Sequence, residues 1–132
     1  MKALFPYAEE TRGFIVRVSV SFLPEQSEIE KGRWFWSYHI RIENVGDMAA
    51  QLLSRHWDIR DARGAKHIVD GEGVVGEQPV IKPDASYDYV SGCPLTTPHG
   101  SMQGSYQMIG EDGSRFDIAI PKFSLSAPVT AQ

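Results

Sequence analysis

Alternation of apolar and polar side chains is what most restricts how this chain folds. In Phe14–Phe22 one parity carries Phe14, Val16, Val18, Val20 and Phe22, and the other carries Arg17, Ser19 and Ser21, broken only by Ile15. Successive side chains of a strand point to opposite sides, so the run reads as a strand with one buried and one wet face. Trp34, Trp36, Tyr38, Ile40 and Ile42 repeat the pattern against Ser37, His39, Arg41 and Glu43, in residues that favour strands. Leu53, Arg55, Trp57 and Ile59 repeat it again, with an arginine on the apolar parity. Asp61-Ala62-Arg63-Gly64 has turn chemistry, after which a short strand returns through His67 and Val69. Further strands are expected over residues 86–90, 102–109 and 116–120. Gly110-Glu111-Asp112-Gly113 joins the last two, and Pro121, which has no N–H for a ladder, ends the last.

About seven short strands, with no long helical segments between them, predict an all-β fold: an antiparallel sandwich or barrel. Residues 24–32 suit one helical turn, opened by Pro24 and closed by Gly32. Residues 47–53 are too few to stand alone as a helix and read as a loop leading into a strand. The 132 residues make one domain with a core from about 13 to 125 and loosely held ends, to about Glu10 and after Leu125.

Charge narrows the function classes. Thirteen Lys and Arg against seventeen Asp and Glu give a net charge of −4, which argues against a nucleic-acid partner. Cys93 is the single cysteine, so the chain forms no internal disulfide and no cysteine zinc site; a reducing, cytoplasmic setting fits. The first ten residues lack a signal-peptide pattern, and no apolar run approaches the roughly 20 residues that span a bilayer.

Gly71-Glu72-Gly73-Val74-Val75-Gly76 is a literal G-x-G-x-x-G. In a dinucleotide site these glycines lead from a strand into a helix that faces the pyrophosphate. Here Glu77-Gln78-Pro79-Val80-Ile81-Lys82-Pro83 follows, and its prolines oppose a helix, so the loop reads as a sharp bend between sheets. His39, His56, His67 and His99 lack the close spacing of metal ligands. His56 and Asp58 share one strand face, Arg55 and Trp57 the other; His56 reads as a partly exposed strand residue and Arg55 as stacked on an aromatic ring. Cys93 has no basic neighbour in sequence, and no serine sits in a nucleophile-elbow pattern. Parity assigns Trp34, Trp36 and Tyr38 to the core and leaves Phe35 as the exposed ring.

Leu23-Pro24-Glu25-Gln26-Ser27, Gln51-Leu52-Leu53-Ser54-Arg55-His56-Trp57, the loop 71–79, Ser91-Gly92-Cys93-Pro94-Leu95 and Gly104-Ser105-Tyr106-Gln107-Met108 together resemble the bacterial ApaG family over nearly the whole chain. Lys82-Pro83-Asp84-Ala85 stands where that family usually has a Pro-Gly turn, and Asp also suits a turn. The resemblance implies an immunoglobulin-like or fibronectin-type-III-like sandwich. It implies a stand-alone bacterial protein linked to cobalt resistance and magnesium efflux, without assigned catalytic residues. Eukaryotic proteins that carry the domain, an F-box protein and a polymerase-delta-interacting protein, imply a protein-interaction role. Binding of pyrophosphate-containing nucleotides has also been suggested for the family's glycine loop.

The expectation is therefore a non-enzymatic β-sandwich that binds an unidentified protein partner, as a monomer or weak homodimer. Its binding loop is Gly71, Glu72, Gly73, Gly76, Glu77 and Gln78, with Arg55, His56 and Asp58 on the adjacent surface. One alternative is a regulator that binds a divalent cation weakly through His67, Asp70 and Glu72. A second is nucleotide binding at Gly71, Gly73 and Gly76.

Overall fold

A computed structural model describes residues 4–132. The described chain forms nine strands: β1 (Tyr7–Thr11), β2 (Phe14–Phe22), β3 (Trp34–Asn44), β4 (Ala50–Asp61), β5 (Lys66–Glu72), β6 (Val80–Ile81), β7 (Ser86–Leu95), β8 (His99–Gly110) and β9 (Arg115–Ser126). Three single 3₁₀ turns, Pro24–Gln26, Ile29–Lys31 and Val129–Ala131, are its only helical pieces. One sheet runs β1-β2-β3-β7, the other β5-β4-β8-β9 with β6 also on β4, and every pairing is antiparallel. The fold is the expected all-β sandwich. No helix among the described residues is long and apolar enough to cross a membrane.

The inner parities meet between the sheets. Val16, Val18, Trp36, Ile40 and Ile42 face Leu52, Trp57, Tyr106, Met108, Ile118 and Phe123, all 3% exposed or less. At the centre Trp57 lies edge-on to both Tyr38 and Phe123, with centroids 5.4 and 6.0 Å apart. Such T-shaped contacts set the positive ring edge against the negative ring face. Trp34 and Trp36 join this core as expected, while Phe35 turns to the outer face and lies over Gly92.

Turn chemistry behaves as read. Asp61 Oδ1 accepts the N–H groups of Arg63 and Ala65, and Gly64 takes φ +85°. Gly113 takes φ +83° between β8 and β9. Asp84 stands at φ +66° with Ala85 N–H bonded to Lys82 O, so aspartate occupies the left-handed turn position that glycine fills most easily.

Three local expectations are corrected. Pro121 does not end a strand: β9 continues to Ser126, because the pairing with β8 slips between Met102 and Gly104 and leaves Pro121 in a bulge on an edge strand. A second bulge at Leu53 moves the inner face of β4 by one residue, so Leu52 is fully buried and Arg55, Trp57 and Ile59 follow on the inside. The described stretches toward the ends are also held. Residues 7–11 form β1, and Trp34 Nε1 donates to Ala131 O at 2.6 Å beyond the last strand.

Candidate functional site

Each glycine of the loop has a structural reason. Gly71 lies opposite Arg55 on the neighbouring strand, and a Cβ there would stand 2.7 Å from the guanidinium. Gly73 has φ +60°, and a Cβ would approach Glu77 O to 2.2 Å. Val74 and Glu77 exchange N–H···O bonds of 2.8 and 2.9 Å around Val75 and Gly76, whose φ values are +44° and +82°. Two positive φ values in a two-residue loop make a type I′ turn, the tight reversal of a hairpin. Residues 75–81 form no helix. The N–H groups of Gly73, Val74 and Glu77 are spent on Leu53, Glu77 and Val74 carbonyls, so they are not turned outward as a phosphate cradle requires. Gln78 Nε2 ties the returning chain to Leu53 O at 2.8 Å.

Among the described residues the cations stacked on rings are Arg12 and Arg41, not Arg55. It runs along the inner face of β4, and its Nη1 donates to Glu72 O and Gly73 O at 2.9 Å each, clamping the end of β5. On the outer face His56 does not engage Asp58. Its Nδ1 lies 2.6 Å from Asp70 Oδ1 on β5, because antiparallel register sets His56 beside Asp70. Asp58 pairs instead with Arg60, whose hydrogen bond holds its carboxyl below the usual value. The grouping of His67 with Asp70 and Glu72 comes apart by parity: His67 lines the interior side of β5, while Asp70 and Glu72 fall on the face shared with His56. Among the described residues no three His, Cys, Asp or Glu side chains stand close enough together to hold a metal ion.

What alternation alone did not disclose is a groove of about 590 Å³ between the sheets, where β7 and β5 form the unpaired edges. Tyr38, Cys93 and Leu95 line it from one sheet; Arg55, Trp57, Ile59 and Met102 line it from the other. His67 and Val69 project from β5 into the same space, and Arg33 stands at its margin. The one sequence signal for it was Arg55 on an apolar parity: an arginine on an inner face implies that the layers part there. Behind the groove the Tyr89 and Tyr106 hydroxyls hydrogen-bond to each other. Burial raises the phenols of Tyr38, Tyr89 and Tyr106, with the Arg55 charge opposing the shift in all three. Burial likewise pushes the Cys93 thiol up to about 11, so it is protonated at neutral pH and a poor nucleophile. The arrangement is suited to holding a molecule.

Comparison with known proteins gives a consistent result. A family model described as the ApaG domain matches residues 24–110. The chain is 55% identical over 122 residues to Protein ApaG of Afipia carboxidovorans, covering 92% of this chain and 94% of the relative. It is 52% identical over 122 residues to Protein ApaG of Bradyrhizobium sp. strain BTAi1, covering 92% and 93%. The crystal structure of the putative ApaA protein from Bordetella pertussis superposes with a TM-score of 0.85 at 41% identity, over 88% of this chain and 94% of that one.

Proposed function

Because this chain belongs to the ApaG family, we propose that it is a non-enzymatic binding domain that docks another protein along β5 and the glycine loop after it. One observation carries the reading. Of the eight large hydrophobic side chains exposed among the described residues, four fall between Lys66 and Ile81: Ile68, Val69, Val75 and Val80. Ile68 lies on the outer face of β5, Val69 on its groove side and Val75 and Val80 in the loop that follows, and apolar side chains gathered in one exposed stretch mark interaction sites. β5 also pairs on one side only, with β4, so its other side offers backbone donors and acceptors to an added strand. Val75 adds support. A β-branched residue at φ +44° costs about 1–2 kcal/mol, and its side chain is 56% exposed, so nothing in the core repays that strain.

Glu72, Glu77, Gln78, His56 and Asp70 make the polar rim of this surface. The domain acts as a monomer or weak homodimer in the cytoplasm, where a buried, protonated Cys93 stays reduced. Any link to cobalt or magnesium passes through the partner, a reading supported by the separation of His67 from Asp70 and Glu72 on opposite faces of β5.

The test is affinity capture after in-cell crosslinking, comparing the native chain with an Ile68→Asp, Val75→Asp double variant whose thermal melt is checked in parallel. The reading expects a discrete partner on the native chain and its loss from a folded double variant. Equal recovery by both removes this surface from consideration.

A further inference from the structure

We propose that the groove between the sheets binds a small carboxylic acid with an aromatic or branched apolar body, anchored by the Arg55 guanidinium. The groove, about 590 Å³, falls within the roughly 300–1,000 Å³ of small-molecule sites. Its walls are largely apolar, from Tyr38, Trp57, Ile59, Val69 and Leu95. Its charged side chains are Arg33, which pairs with Glu28, then Arg55 and Asp61, so Arg55 is the cation without a carboxylate partner there. Asp61 Oδ1 is held by two backbone N–H groups of its own turn and forms no ion pair with Arg55.

Arg55 differs from the arginines that form ion pairs. Among the described residues Arg17, Arg33, Arg41 and Arg60 each have a carboxylate partner, Arg12, Arg63 and Arg115 have none but are exposed, and Arg55 is the half-buried arginine without one. Its Nη1 spends both protons on Glu72 O and Gly73 O, which fixes the guanidinium plane and leaves Nε and Nη2 without an acceptor among the described residues. Those two nitrogens form the guanidinium edge that meets a carboxylate through two parallel N–H···O bonds. A half-buried cation with no counter-ion favours an anionic guest, because the attraction strengthens where water is displaced. Gly71 keeps the space open, since any Cβ would collide with the guanidinium. With the carboxylate at Arg55, the body of the acid packs on Ile59 and Val69, the more exposed apolar walls, over the buried rings of Tyr38 and Trp57. The site lies on the inner side of β5, so it stands whether or not a partner covers the outer edge.

Nitrogen-detected NMR titration of the full chain with phenylacetate, indole-3-acetate and isovalerate tests this, with phenylacetamide and indole-3-acetamide as neutral counterparts. Saturable shifts are expected at the Arg55 Nε–H, the Trp57 indole and Val69. Binding of the amides is expected to be weaker by on the order of tenfold to a hundredfold, the range for losing a charged hydrogen bond. Arg55→Gln is expected to show the same loss. Because Arg55 also clamps the loop, Val69→Phe is the second variant: it narrows the groove without touching the guanidinium, and is expected to abolish binding while the Glu72 and Gly73 resonances stay in place. Equal binding of acids and amides, full binding by Val69→Phe, or no saturable shift with any of the three acids overturns the proposal.

Discussion

Along one side of the sandwich β1 and β2 lie against β9, and along the other β5 and β7 stand apart across the groove. On the first side Tyr7 packs on Phe123 and Phe14 on Phe116, and Ala119 N–H donates to Thr11 Oγ1 at 3.2 Å. On the second, β5 is exposed along nearly its whole length, and its inner residues His67 and Val69 line a space no side chain fills. What separates them is that β1 seals one pair of sheet edges, while among the described residues the other pair has no such cover. One sealed side is enough to bury the aromatic core, which leaves the open side free to bind.

The sharpest way to break this contrast is to truncate one side chain on each side. Phe123→Ala, at the sealed centre, is expected to cost about 3–5 kcal/mol in urea unfolding. Val69→Ala, on the open side, is expected to cost only about 0.5 kcal/mol. Comparable losses would mean that the groove is packed in solution. Gly73→Ala comes next, because it forces a Cβ against Glu77 O in a left-handed conformation. It is expected to cost about 2–4 kcal/mol, with hydrogen exchange rising in β5 and the loop and not in β1 or β9.

Alkaline pH probes the interface between the regions. Tyr38, Tyr89, Tyr106 and Cys93 are all raised by burial, so each favours the folded state fully below its unfolded value, 10.0 for the phenols and 9.0 for the thiol. Above those values the unfolded chain ionises and the folded chain resists, so stability is expected to fall as pH climbs from about 9. Tyr106→Phe is expected to flatten that slope of urea midpoint against pH; an unchanged slope would show that the phenols ionise without unfolding. The smallest effect is a gain. Val75→Asn places a residue suited to a type I′ turn at φ +44° and is expected to raise stability by about 1 kcal/mol while weakening partner capture. A gain in stability with undiminished capture would detach Val75 from the docking surface.

Strand identity was legible because parity survives in β2 and β3, each with one apolar residue out of place, Ile15 and Phe35. It misled where a backbone irregularity intervened, since one extra residue at Leu53 changes which side chains point inward, and the bulge at Pro121 lets β9 pass a residue that ordinarily ends a strand. The glycine loop was legible as a bend, but not as a hairpin clamped by Arg55. His56 was legible as a surface residue, yet its partner is Asp70 on the neighbouring strand and not Asp58 on its own. Cross-strand register sets that choice, and no local pattern encodes it.

The order of residues alone determined the all-β class, the core parities of β2 and β3, the turns at Gly64 and Gly113, and the absence of a helix behind the glycine motif. These depend on interactions within a few positions along the chain, where alternation and backbone sterics act directly. Only the tertiary structure decided which strand edges were sealed, that Arg55 faces inward without a counter-ion, and that a groove separates β5 from β7. Those features arise from residues tens of positions apart, brought together by how two twisted sheets meet and by where the pairing ends.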